Sequence, residues 1–307
     1  MTELILHHYE GSPFSEKVRL ILGFKGLSWR SVTVPVMLPK PDVVALTGGY
    51  RRTPFLQIGG DIFCDTALMC RVIEARHPTP AIFPAQGEAD ILAQWADRDL
   101  FWAAVPYTLQ PAGFAAMFAG APPAFLQAFA ADRAAMTQGR RRESLADTHA
   151  ALQTYLAWLD RQLQDGRTFM LGDSPCIADF SAVQSIWFIR RAPPVASILA
   201  PFARVGAWAD RMLAFGHGQP ESMSSEQALA VAKAAGPQAP VSVQSDQGFK
   251  AGEAVLVAAT DYAQDAVAGE LVGLSPERIS LRRHDPRAGQ LNVHFPRIGY
   301  ALRRQDN

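Results

Sequence analysis

Cysteine is scarce in this chain: three among 307 residues, Cys64, Cys70 and Cys176. Their spacing suits neither a disulfide framework nor a zinc site, so buried thiols in a reducing compartment are expected, with no metal. Net charge is also missing, because 29 basic and 29 acidic residues cancel, and no global attraction to nucleic acid or an anionic membrane follows. The first ten residues lack the basic start and small-residue cleavage site of a secretory signal, which points to the cytoplasm. One long stretch lacks charge altogether: residues 100–131 contain no Asp, Glu, Lys or Arg. Length alone would suit a membrane span, but Pro106, Pro111, Pro122 and Pro123 cut it into intervals too short to cross a bilayer. Buried helices and an apolar cleft wall are expected instead.

What is present is ordinary globular composition, 49% hydrophobic and 19% charged, in a chain long enough for two or three compact units. Residues 4–77 read strand, helix, strand, short helix or loop, strand, strand, helix. The strands fall at residues 4–9, 29–34, 55–58 and 61–64, and Gly59-Gly60 makes a hairpin turn between the last two. The sheet is therefore mixed. Residues 66–75 carry Leu68, Val72 and Ile73 at helical spacing, and Pro78 and Pro80 follow. An α/β unit at 1–80 is followed by an all-helical one at 86–215. Residues 216–247 read as a linker with a short helix at 226–235. Beyond them, strand candidates at 254–259, 267–274, 278–283, 291–295 and 300–303 predict a small all-β, barrel-like module over 248–307.

Ser12-Pro13-Phe14-Ser15 joins the first strand to the first helix. It has the shape of a thiol-redox Cys-Pro-Phe/Tyr-Cys turn with both sulfurs replaced by hydroxyls. Such a turn aims backbone N–H groups and the positive end of a helix dipole at an anion, and a thiolate is one. A sulfur absent from the protein would arrive on a ligand. The same residues also make a plain helix start, with Ser12 as N-cap and Pro13 in the first turn.

With the mixed sheet and the helical unit behind it, this turn resembles the cytosolic glutathione transferases over about residues 1–215, closest to serine-type classes such as tau and zeta. The resemblance implies a thioredoxin-like N-terminal fold, glutathione as co-substrate and a homodimer. It places Thr53 before a cis Pro54, exposing the Thr53 backbone to the cysteinyl unit. It matches Asp65 and Thr66 to the pair that holds the γ-glutamyl end: Asp65 accepts from the ammonium, and Thr66 donates to the carboxylate at a helix N-terminus. It sets Arg52 and Lys40 at the glycyl carboxylate. Gly172-Asp173-Ser174-Pro175-Cys176-Ile177-Ala178-Asp179 resembles the family's folding signature, with Cys176 where a hydroxyl normally caps the helix. A thiol accepts weakly, so Asp179 is expected to do most of the capping.

The mechanism this implies is a Ser12 hydroxyl that stabilises the glutathione thiolate, which attacks a small hydrophobic electrophile. Tyr9 is the rival donor. Trp102, Tyr107, Phe114, Met117 and Phe118, from the charge-free stretch, are candidates for the electrophile pocket. The alternative is a non-catalytic binding or regulatory protein that keeps the fold. Residues 278–304 hold seven arginines against one acid, Asp285, with Phe295 and Tyr300 between them. A solvated face or a contact within a dimer explains this better than a nucleic-acid footprint, because the module as a whole is nearly neutral. His284 and His294 lack a third ligand at metal spacing and are read as structural.

Overall fold

A computed structural model describes residues 3–305. Strand β1 (Ile5–His8), helix α1 (Pro13–Phe24), β2 (Ser28–Thr33), α2 (Pro41–Thr47), β3 (Phe55–Ile58), β4 (Asp61–Cys64) and α3 (Thr66–Arg76) form the thioredoxin-like unit. Three of its strands, β1, β3 and β4, are buried at every position, while β2 is exposed at both ends. Helix α1 begins as its sequence requires, with Ser12 in extended conformation accepting from Ser15 N–H and Pro13 in the first turn.

The helical unit comprises α4 (Glu88–Trp95), α5 (Phe101–Thr108), α6 (Pro111–Met117), α7 (Pro123–Met136), α8 (Leu145–Gln162), α9 (Ile177–Arg190) and α10 (Ala203–Leu213), with a π-helical turn at Ala96–Leu100 between α4 and α5. Helix α9 is buried nearly all round and shares one core with α1 and α3. The charge-free stretch becomes α5, α6 and the first half of α7. No helix among the described residues is long and apolar enough to cross a membrane.

Residues beyond 215 hold the strand-rich C-terminal module expected from the sequence, preceded by a segment that itself pairs with the sheet. Strand β5 (Gln219–Ser222) pairs in parallel with β2, so the supposed linker caps one edge of the sheet. Helix α11 (Ser225–Ala235) follows, opened by a capping box from Ser224 and Gln227. Strands β6 (Ala254–Ala259), β7 (Val267–Leu274), β8 (Arg278–Asp285), β9 (Gly289–Pro296) and β10 (Tyr300–Arg304) then form the strand-rich C-terminal module. It does not stand apart. Strand β9 pairs in parallel with β4, giving one ten-stranded sheet in the order β10-β6-β7-β8-β9-β4-β3-β1-β2-β5.

The β4–β9 seam is a polar joint. Asp61 accepts from Gln238 N–H at 2.6 Å, Ala239 N–H at 2.8 Å and His294 Nε2–H at 2.9 Å. The other His294 nitrogen, Nδ1, meets Ser280 Oγ at 2.8 Å, and Phe63 stacks on the ring at 4.6 Å. Burial pushes the His294 pKa down, so the ring is a neutral donor to a carboxylate that its three donors hold below its ordinary range despite burial. Gly60 allows the close approach: a Cβ there would sit 2.4 Å from the Gly236 carbonyl carbon. His294 is thus structural, and several arginines of the module are spent inside the molecule, on Glu270, Asp42 and Glu253 from Arg282, Arg287 and Arg304.

Candidate functional site

A cavity of about 800 Å³ lies where α1, α3, the α4–α5 turn and the C-terminal strands meet. Arg52, Thr53, Pro54, Asp65 and Thr66 all line it. The Thr53–Pro54 peptide is cis, as the resemblance implies. Asp65 is the N-cap of α3: Oδ1 accepts from Ala67 N–H at 2.9 Å, and its φ of 74° puts a non-glycine residue in the left-handed region. Thr66 begins α3, and its hydroxyl accepts from Lys17 Nζ at 3.4 Å.

Ser12 and Lys40 stand behind Thr53 and are not among the lining residues. Ser12 Oγ donates to the Thr53 carbonyl at 3.4 Å and accepts from Ser15 N–H at 3.2 Å. Its residue is 2% exposed. Lys40 Nζ donates to Thr53 Oγ1 and to the Arg51 carbonyl, both at 3.3 Å. Burial and the neighbouring Arg133 cation bring the Lys40 pKa down to about 8. Thr53 therefore links the cavity wall to both. Tyr9 lies within hydrogen-bond reach of Ser12 and Arg133, and burial raises its pKa, so it stays a neutral phenol.

Arg52 points elsewhere than expected. It pairs with Asp261, donates to the Tyr262 carbonyl, and lies 3.8 Å from the Tyr262 ring centroid. The residue expected to wait for a carboxylate is already tied to the C-terminal module. The electrophile-pocket candidates are corrected more strongly: none of Trp102, Tyr107, Phe114, Met117 and Phe118 lines the cavity. Phe114 packs on Phe118 at 4.7 Å between ring centroids, and Phe118 on Phe129 of α7 at 4.9 Å. Tyr107 donates to the Val195 carbonyl at 3.4 Å, and Trp102 meets Tyr262 edge-on at 5.2 Å. Aromatic residues between prolines satisfied one another instead of opening a pocket. Phe14, Leu68, Val72, Phe83, Ile91 and Ile298 supply the apolar lining.

Sequence reasoning missed Lys17, Tyr262 and Tyr300. Lys17 is fully buried, with Nζ 2.6 Å from Asp97 Oδ2. Burial opposes its charge, but Asp97 outweighs this and raises its pKa. A lysine flanked by apolar helix positions one turn after Pro13 was a usable signal. Asp261 and Tyr262 sit in a turn with no local signature, and only the sheet topology brings them to the cleft.

The family model described as Glutathione S-transferase, N-terminal domain matches residues 6–81, and that described as Glutathione S-transferase, C-terminal domain matches residues 142–211. A GST-like protein from Pseudomonas syringae is 42% identical, with 99% of this chain and 100% of that one covered and a TM-score of 0.82. A glutathione S-transferase from Methylobacterium radiotolerans, solved in complex with glutathione sulfonate, is 21% identical with a TM-score of 0.52, covering 72% of this chain and 98% of its own. One from Rhodospirillum rubrum F11 is 20% identical at the same TM-score, covering 68% and 87%. The last two speak to fold alone. No curated protein sequence matches the chain. The fold and site define a glutathione-transferase-type protein, and the chain belongs to the glutathione S-transferase family.

Proposed function

We propose that the protein is a serine-type glutathione transferase, in which Ser12 stabilises the glutathione thiolate for attack on a small apolar electrophile. The observation that carries this is the convergence of Thr53, Pro54, Asp65 and Thr66 on one cavity, with Ser12 bonded to the Thr53 carbonyl at the start of α1. The residues fit the ligand's chemistry. Asp65 accepts from the α-ammonium, while Thr66 and Lys17 offer donors to the α-carboxylate at the N-terminus of α3. Arg52, held by Asp261 at the cavity wall, is the proposed cation for the glycyl carboxylate, with Lys40 behind Thr53 adding positive charge.

Bound glutathione supplies a sulfur nucleophile for a bond to carbon. An ordinary thiol titrates near ~8.5, so at neutral pH the protein must favour the charged form. The Ser12 hydroxyl turns its proton from the Thr53 carbonyl to the sulfur, and the α1 dipole adds to the effect. Ser12 remains a donor throughout and is not itself a nucleophile. The thiol proton leaves to solvent, and the departing group of the electrophile takes its bonding pair. Phe14, Val72 and Ile298 give that electrophile an apolar wall. A cytoplasmic homodimer is the assembly proposed with this reading.

A crystal structure with glutathione soaked in tests it. Sulfur within hydrogen-bond distance of Ser12 Oγ supports the proposal, and sulfur against Tyr9 overturns the serine assignment. Binding without conjugation or elimination across a panel of electrophiles would instead establish a non-catalytic binding protein.

A further inference from the structure

The third wall of the cleft comes from outside the two matched domains: the β6–β7 turn with Asp261 and Tyr262, and the start of β10 with Tyr300. Each engages a charged residue of the cavity wall. Tyr300 Oη–H donates to Asp65 Oδ2 at 3.1 Å, while the other Asp65 oxygen is fixed by Ala67 N–H at 2.9 Å. Tyr262 lays its ring against the Arg52 guanidinium at 3.8 Å. The Asp261 carboxylate and the Tyr262 carbonyl accept from the same Arg52 nitrogen, Nη2. Arg52 Nε is left buried without an acceptor among the described residues. The β6–β7 turn is anchored independently, by Ala263 N–H donating to the Met136 carbonyl at 2.7 Å and by Tyr262 against Trp102.

We infer that Tyr300 and Tyr262 are positioning residues of the ligand site: the C-terminal strands set the orientation of Asp65, the acceptor for a ligand ammonium, and of Arg52, the donor for a ligand carboxylate. Recognition of a peptide with charged ends is then built partly by a module that neither family domain contains. The inference rests on the glutathione reading. Its physical content is preorganisation. A carboxylate held at both oxygens in a left-handed cap loses little rotamer freedom when an ammonium arrives, and a guanidinium stacked on a ring keeps its fork in one plane. Without the Tyr300 hydroxyl, Asp65 must be ordered by the ligand itself.

The test is a double-mutant cycle on the full-length protein, with S-methylglutathione binding measured by calorimetry for the wild type, Tyr300→Phe, Asp65→Asn and the double variant. Asparagine tolerates the left-handed cap, so Asp65→Asn isolates charge. Tyr300→Phe is expected to weaken binding about 5–10-fold with little change in Tm, and to cost almost nothing in the Asp65→Asn background. Unchanged affinity in Tyr300→Phe, or losses that simply add, would overturn the inference. If Tyr300→Phe fails to fold, Tyr262→Leu against Arg52→Gln gives the same cycle through the cation, with the same two outcomes decisive. A wild type that does not bind S-methylglutathione overturns the glutathione reading and the inference together, and that result is distinct from the others.

Discussion

Asp179 shows how one buried residue can take over another's task. Its Oδ2 accepts from Cys176 N–H at 2.9 Å and from the Cys176 thiol at 3.3 Å, while Oδ1 accepts from Met170 N–H at 2.8 Å and Trp208 Nε1–H at 2.9 Å. The carboxylate closes the start of α9 where a cysteine stands in the capping position. A threonine hydroxyl there would accept from the first-turn N–H groups more strongly than sulfur does. Cys176→Thr is therefore expected to raise stability by about 1 kcal/mol, read as a higher denaturant midpoint; an unchanged or lower midpoint would refute it. The same scale explains what was legible in the site. Thr53, Pro54, Asp65 and Thr66 are neighbours in sequence and sit on two adjoining turns, so their convergence was readable. The partners of Arg52 lie 209 and 210 residues away, and no local pattern reaches that far.

Among the elements, β6 and β7 were readable to the residue because each is a short, mostly apolar run bounded by turns. Their place in the molecule was not, since a short apolar run reports burial and says nothing of partners. Strand β5, Gln219-Pro220-Glu221-Ser222, is exposed at all four positions and carries no apolar signal. It forms because the edge of β2 offers it hydrogen bonds. The β4–β9 joint is the structural consequence with most at stake, because Asp61 gathers three donors from two separate segments. Asp61→Ala leaves two backbone N–H groups and His294 without their acceptor and is expected to cost on the order of 3 kcal/mol. Denaturation should remain one transition when followed both by Trp fluorescence and by far-ultraviolet circular dichroism. A loss below about 1 kcal/mol, or two separated transitions, would show that the C-terminal strands fold independently of the seam.

Two adjacent histidines of β1 in the sheet core are kept neutral. His7 is buried on the Gln57 side chain at 2.8 Å, and burial brings its pKa down to about 4. His8, bonded to Ser31 at 2.8 Å, is likewise brought to about 4, by burial first and then by Arg19. Both ordinarily titrate near ~6.5, so between these values the unfolded chain binds more protons than the folded one. Their contribution to stability is complete above about pH 6.5 and is lost as pH falls toward 4, on the order of 3 kcal/mol for each as an upper bound. Denaturant midpoints should fall steeply across that window, and a flat profile would mean that the two rings are not desolvated in solution.

The proposed work of the whole cleft is to hold glutathione as its thiolate. The most direct measurement is the ultraviolet titration of the glutathione thiol bound to the wild type and to Ser12→Ala. The bound thiol is expected to titrate at least one unit below its free value of ~8.5 in the wild type, and to return most of the way in Ser12→Ala. Equal titration in the two proteins would contradict the role given to Ser12.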